Sequence, residues 1–320
     1  MPSLSAPGDP SAATAVSCCN DATANPGMTM TDTTPRHILL ATDLSCRCDR
    51  ALDRAVKLAG EWGAELTAAT VIEPEPADLL DPRPSSWRRQ ATPAERMHWR
   101  LVRDVASVAD DIGVVVEAGD PATKLVEIAE HEHCDLIVTG IARDETLGRM
   151  ILGNTVSRLV RRAAVPVLVV RDRPAGPYRR IVIATDFSEA ALQATLVASA
   201  FFPAAALTLF HGYDVPYTGY LTDRDFTSES RAKADEARAM LRAESRIDAA
   251  LLERLDIVVE RGTPEMLISD HVEDHHGDLT VVGSQEHGIL FDAFIGSMDK
   301  RLLDTLEGDL LIVPGAAEAG

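Results

Sequence analysis

The chain has 320 residues, 46% of them hydrophobic, and a formal net charge of −19. So acidic a surface repels phosphate backbones and anionic lipid, which excludes DNA, RNA and membranes as expected partners. No apolar run approaches the ~20 residues of a bilayer span. The five cysteines include no C-x-x-C pair, which argues against a zinc ribbon or thioredoxin-type site and for a reducing, cytosolic compartment.

Residues 1–35 are small and polar, with no Lys or Arg and no apolar h-region, and they read as a disordered tail rather than a secretory signal. Met28 and Met30 are alternative starts. A first domain is expected over 36–171. It opens with a buried strand, Ile38–Ala41, that runs into Thr-Asp-Leu-Ser, followed by an Ala-rich helix over Asp49–Trp62. A second strand (66–72), a variable stretch (73–104) and a third strand (114–119) lead to a helix and then to DLIVTG (135–140). The loop GIARDETLGRMILGNT (140–155), a helix over Asn154–Arg162 and a last strand (166–170) close the unit. The Pro/Gly-rich DRPAGPY (172–178) reads as a linker. A second domain over 179–314 repeats the series from Ile181–Ala184, with a helix over Glu189–Ala200, a variable stretch at 213–250, DLTVVG at 278–283 and a helix over Ser297–Glu307. Residues 315–320 form a short tail.

The two halves are a duplication. Asp43 and Asp186, Gly119 and Gly262, Pro121 and Pro264, Asp135 and Asp278, Gly140 and Gly283, and Gly153 and Gly296 all stand 143 positions apart. Strands alternating with helices of ~10–15 residues imply right-handed crossovers and a parallel sheet, hence an α/β fold.

The strand motif ending A-T-D-x-S, the G-D-P turn, D-L-I-V-x-G, the small residues after the second loop glycine and P-V-L-V-V together resemble the universal stress protein family. Two copies are similar to its tandem members, and the resemblance covers roughly residues 36–314. It implies two Rossmann-like (adenine nucleotide alpha hydrolase-like) domains, each a five-stranded parallel sheet of order 3-2-1-4-5 with helices on both faces. The two domains would pack as an intramolecular pseudo-dimer. In such a sheet a crevice opens where the strand order reverses, and the family's nucleotide-binding members hold ATP there. Carried over, the resemblance implies a first site of Asp43, Val71, Gly140, Gly153, Asn154 and Thr155. It implies a second of Asp186, Gly283, Ser284, Gly296 and Ser297, with Gly212 at the strand-2 position.

Both copies depart from the family at the middle glycine of the loop, which is Arg143 or Glu286. Glycine permits left-handed backbone and close approach to a ligand; a bulkier residue in that conformation costs roughly 1–2 kcal/mol, or the loop takes another path. A carboxylate about 4 Å from a phosphate is unfavourable by roughly 1–4 kcal/mol, so Glu286 argues against a triphosphate in the second domain. Arg143 has the opposite sign and can pair with phosphate bidentately, fill the crevice or point to solvent. Helix capping accounts for Asn154 and Ser297, and turn formation for Asp43 and Asp186, as readily as ligand contacts do.

Other constellations are weaker. His131, His133 and Cys134, and likewise His271, His275 and His276, fall near helix C-termini, where the dipole favours histidine; metal binding is the minor alternative. Cys46 and Cys48 flank Arg47 near the crevice mouth as ordinary loop cysteines or, less readily, a redox thiol. No P-loop, H-E-x-x-H or G-x-S-x-G motif occurs, so turnover of ATP is expected to be slow and incidental. The leading expectation is a cytosolic stress-response protein binding ATP, with Mg²⁺, in the first domain. The competing one is a degenerate, ligand-free scaffold acting through protein contacts; the tryptophans of the variable stretch fit such a partner surface, a lid over the crevice or, as readily, helix packing.

Overall fold

A computed structural model describes residues 34–45, 48–73, 92–106, 111–143, 150–151, 154–213, 223–284 and 308–315. The first repeat holds β1 (His37–Ala41), α1 (Asp49–Trp62), β2 (Glu65–Ile72), α2 (Pro93–Ala106), β3 (Gly113–Ala118), α3 (Pro121–His131), β4 (Leu136–Gly140), the two-residue strands β5 (Ala142–Arg143) and β6 (Met150–Ile151), α4 (Asn154–Arg162) and β7 (Val167–Val170). The second holds β8 (Arg180–Ala184), α5 (Glu189–Phe201), β9 (Ala206–Tyr213), α6 (Asp223–Ala243), α7 (Ala249–Arg254), β10 (Leu255–Arg261), α8 (Pro264–Asp274), β11 (Leu279–Ser284) and β12 (Asp309–Pro314).

Ten strands form one sheet in the order β10-β9-β8-β11-β12-β7-β4-β1-β2-β3. Each repeat therefore shows the expected 3-2-1-4-5 order with parallel pairing inside it. The repeats meet where β12 runs antiparallel to β7, with Leu311 opposite Leu168. Strand residues alternate between two apolar layers: Ile38 and Leu40 pack with α1 and α2 residues, while Leu39 and Ala41 pack with α3 and α4. Both faces are covered, which is why the strands read as continuous apolar runs.

The duplication extends to the backbone. Leu44 and Phe187 share a positive φ (59° and 60°), as do His133 and His276 (52° and 51°). The DL motifs have a structural role: the Asp135 carboxylate accepts from the backbone N–H of Arg36 and His37, and Asp278 accepts from Arg179 and Arg180. Each carboxylate ties the start of its repeat's first strand to the turn before the fourth.

At the seam, the Asp309 side chain is fully buried at the head of β12 and accepts from the backbone N–H of Arg171 and Asp172 and from the Tyr178 hydroxyl. The position 143 residues earlier is Pro166, so the first repeat carries no such carboxylate. Arg54 of α1 places Nε 3.2 Å from Asp309 Oδ2, without the alignment of a hydrogen bond. Its guanidinium lies 4.1 Å over the Tyr178 ring and donates to the Gly176 carbonyl. Beside it, Trp62 at the end of α1 meets Phe201 and Phe202 at the end of α5, each 5.7 Å away.

Candidate functional site

The Thr-Asp-x-Ser turns at the ends of β1 and β8 are built alike. Thr42 Oγ1 accepts from the Leu44 N–H and Thr185 Oγ1 from the Phe187 N–H, while Asp43 and Asp186 accept from the N–H of Ser45 and Ser188. The turn reading of both aspartates therefore holds whether or not a ligand contacts them. The two turns enter their helices differently. Ser188 caps α5, whereas α1 starts later, at Asp49, and the Cys48 thiol donates to Asp43 Oδ1 at 3.2 Å. Partial burial pushes the Asp43 carboxyl up, but the bonds from Ser45 and Cys48 outweigh it and leave its pKa below the usual value.

Between these strand ends and two helices lies a cleft of about 390 Å³. Of the residues expected at the first site, Asp43, Val71, Gly140 and Thr155 line it, and so does Cys48, expected near the mouth. Thr42, Glu73, Pro121, Leu125 and Ile141 also line it and were not anticipated. The volume falls within the roughly 300–1,000 Å³ of small-molecule pockets. Asn154 is the first residue of α4 and exposed beside it. Arg143 has extended backbone paired with Met150, so the strain of a left-handed non-glycine does not arise there. Gly153, Glu286, Gly296 and Ser297 lie outside the described residues.

In the second repeat two of the matching positions, Gly212 and Gly283, are tightly packed. Registers place Ala41 beside Ala69 and Ala184 beside Phe210, so Val71 and Gly212 correspond. A Cβ on Gly212 would lie 2.6 Å from Pro264 Cα, whereas Val71 and Pro121 both line the first repeat's cleft. A Cβ on Gly283 would lie 2.2 Å from the Ala190 carbonyl oxygen, so the close approach of α5 to β11 accounts for that glycine. Ser284, the next residue, ends β11 opposite Pro314.

Among the described residues no group of three or more His, Cys, Asp or Glu side chains converges to hold a metal ion. His271 instead stacks on His275 and packs against Phe210, at 4.1 and 4.9 Å between ring centres, and burial lowers its pKa. Cys48 and Cys134 are ordinary thiols: burial pushes Cys48 up to about 11 and Cys134 up to about 12. In native protein at pH 8 both are expected to react with iodoacetamide about a hundredfold or more slowly than a free thiol, and normally in urea. Native labelling of Cys48 at the free-thiol rate, read by peptide mass spectrometry, contradicts this.

The chain is thus a tandem of doubly wound α/β units, with a cleft in the first where the strand order reverses. The universal stress protein family model matches residues 34–171 and again 177–314, and this chain belongs to that family. A universal stress protein of Methanocaldococcus jannaschii is 31% identical over 140 residues, 42% of this chain and 82% of that protein. One of Mycobacterium tuberculosis is 30% identical over 138 residues, 42% of this chain and 94% of its own length. The crystal structure of a universal stress protein from Archaeoglobus fulgidus covers 87% of this chain and 98% of its own, at 18% identity and a TM-score of 0.57, a likeness of fold alone.

Proposed function

We propose that this chain binds an adenine nucleotide, ATP with Mg²⁺, in the first repeat's cleft and holds it with little or no turnover, as a cytosolic stress-response protein. The observation that carries this reading is the difference between the repeats. Val71 and Pro121 line a cleft of about 390 Å³, and their counterparts Gly212 and Pro264 leave no room for one added carbon. Thr155 and the free N–H groups at the start of α4 would face phosphate oxygens, and the helix dipole favours the anion there. Asp43 would accept from the ribose or the adenine. Mg²⁺ enters as the counterion that a triphosphate needs beside the Asp43 and Glu73 carboxylates. Asp43 is a poor base, since its lowered pKa keeps the carboxylate weakly proton-seeking, which fits binding without hydrolysis.

Calorimetry with ATP and Mg²⁺ is expected to give one site per chain, not two, and a raised melting temperature by mass action. Asp43→Asn is expected to weaken binding by about tenfold or more, the scale of a hydrogen bond to a charged group. Two equivalent sites, or no heat and no shift, overturns the reading. The second outcome favours the scaffold alternative, for which the specific observation is Trp99 and Val102, exposed one turn apart on α2 and suited to anchoring a protein partner.

A further inference from the structure

The cleft's two helical walls are tied to each other by side chains outside it. Pro121 and Leu125 of α3 line one wall, and Thr155 and Val156 of α4 the other. Asp120 caps α3 by accepting from the Thr123 N–H and hydroxyl, at 3.0 and 2.7 Å. The same carboxylate receives both arms of the Arg158 guanidinium, at 2.7 and 2.8 Å. One turn further along α4, Arg162 donates to Thr123 Oγ1 at 2.6 Å. Arg158 lies three residues from Thr155, so the two share a helix face. A carboxylate that caps one helix thus grips the other immediately behind the residue that faces the cleft.

The second repeat lacks the grip. Thr263 replaces Asp120 and makes no side-chain cap, and Met266, exposed, replaces Thr123. Position 301, 143 after Arg158, is also Arg, but the counterpart of Arg162 is Thr305, so the acceptors on the facing helix and one of the two cations are replaced. The anchors stand in the repeat whose cleft Val71, Pro121 and Thr155 line.

We propose that Asp120 and Arg158 form a clamp that positions the first turn of α4, and Thr155 with it, for the phosphates of the bound nucleotide. This rests on the nucleotide reading above and makes both residues positioning residues, not ligand contacts. The bidentate geometry matters because planar guanidinium and carboxylate fix orientation as well as distance. The Arg158 guanidinium, and after it Thr123, holds the Asp120 carboxyl far below the usual carboxylate range, so the clamp stays ionised at any ordinary pH.

Arg158→Met, Arg158→Lys and Asp120→Asn test it in the full chain. Asn caps a helix as well as Asp does, so Asp120→Asn removes the charge and leaves the cap. Amide hydrogen exchange without ligand is expected to quicken about fivefold over Arg158–Arg162 in Arg158→Met, the scale of one well-formed bidentate pair. Leu136–Gly140 of β4 should keep their protection. ATP affinity should fall by a similar factor in Arg158→Met and Asp120→Asn, with partial recovery in Arg158→Lys. Unchanged exchange in α4 overturns the clamp whether or not ATP binds. Faster exchange with unchanged affinity overturns its link to the ligand. A wild type that takes up no ATP sinks the nucleotide reading and the ligand half of this proposal, and the exchange result then decides the clamp itself.

Discussion

Replacing Asp309 with Ala is expected to cost about 3–5 kcal/mol, because it leaves two backbone N–H groups, the Tyr178 hydroxyl and the Arg54 guanidinium buried without their shared partner. Arg54 and Asp309 side chains are 5% and 0% exposed, so water cannot replace the lost carboxylate. Burial raises the Asp309 pKa, against the opposing bonds from Tyr178 and the two N–H groups and the nearby Arg54. A carboxyl whose folded pKa lies above its unfolded value of ~3.9 lends most stability when protonated, and that share is lost as pH rises through the folded pKa. The cost of Asp309→Ala should therefore be largest near pH 4 and shrink at higher pH. Urea unfolding across that window measures it, and a loss below about 1 kcal/mol would contradict the accounting. Arg54→Met combined with Asp309→Leu should recover part of the loss, since apolar groups remove the stranded charge but leave the two N–H groups unpaired.

The second large effect separates two explanations of a glycine. If Gly283 is needed for helix packing, Gly283→Ala must push α5 off β11, because the new Cβ would stand 2.2 Å from the Ala190 carbonyl oxygen and 2.3 Å from its carbon. Overpacking against backbone costs about 1–3 kcal/mol, and we expect the upper end with no change in ATP affinity. Gly60→Ala on α1 is the control: nothing lies within 4 Å of the added carbon, and the variant should gain about 0.5–1 kcal/mol. Wild-type stability in Gly283→Ala, measured by thermal and urea melts, would return that glycine to a ligand role.

Much of the fold was legible because it is written in short-range pattern. The apolar runs at 38–41 and 181–184 mark strands buried on both faces, and the constant spacing of 143 marks the repeat. The α1 and α4 bounds, Asp49–Trp62 and Asn154–Arg162, follow from the same reading. Four expected first-site residues gather at one cleft because each ends a strand or begins a helix, positions that topology alone brings together. Glu73 escaped notice because nothing local marks a residue as cleft-lining; it reaches the cleft through the path of the chain after β2. The loop motif predicts left-handed backbone at Arg143, yet the extended pairing of Arg143 with Met150 carries no such strain.

The sequence by itself determined the class and the duplication, since hydrophobic period and repeat spacing leave few topologies open. Its motifs, through the family they resemble, carried the strand order as well. Only the tertiary structure shows how tightly each repeat packs at the end of its second strand, and it does so through contacts no pattern predicts. One added carbon at Gly212 would meet Pro264, while Val71 and Pro121 leave space between them. The same holds for the seam, where Arg54 and Asp309 come within 3.2 Å from positions far apart in the chain. Local sequence sets what each residue can do; close packing at the scale of a single methyl group sets which of them meet.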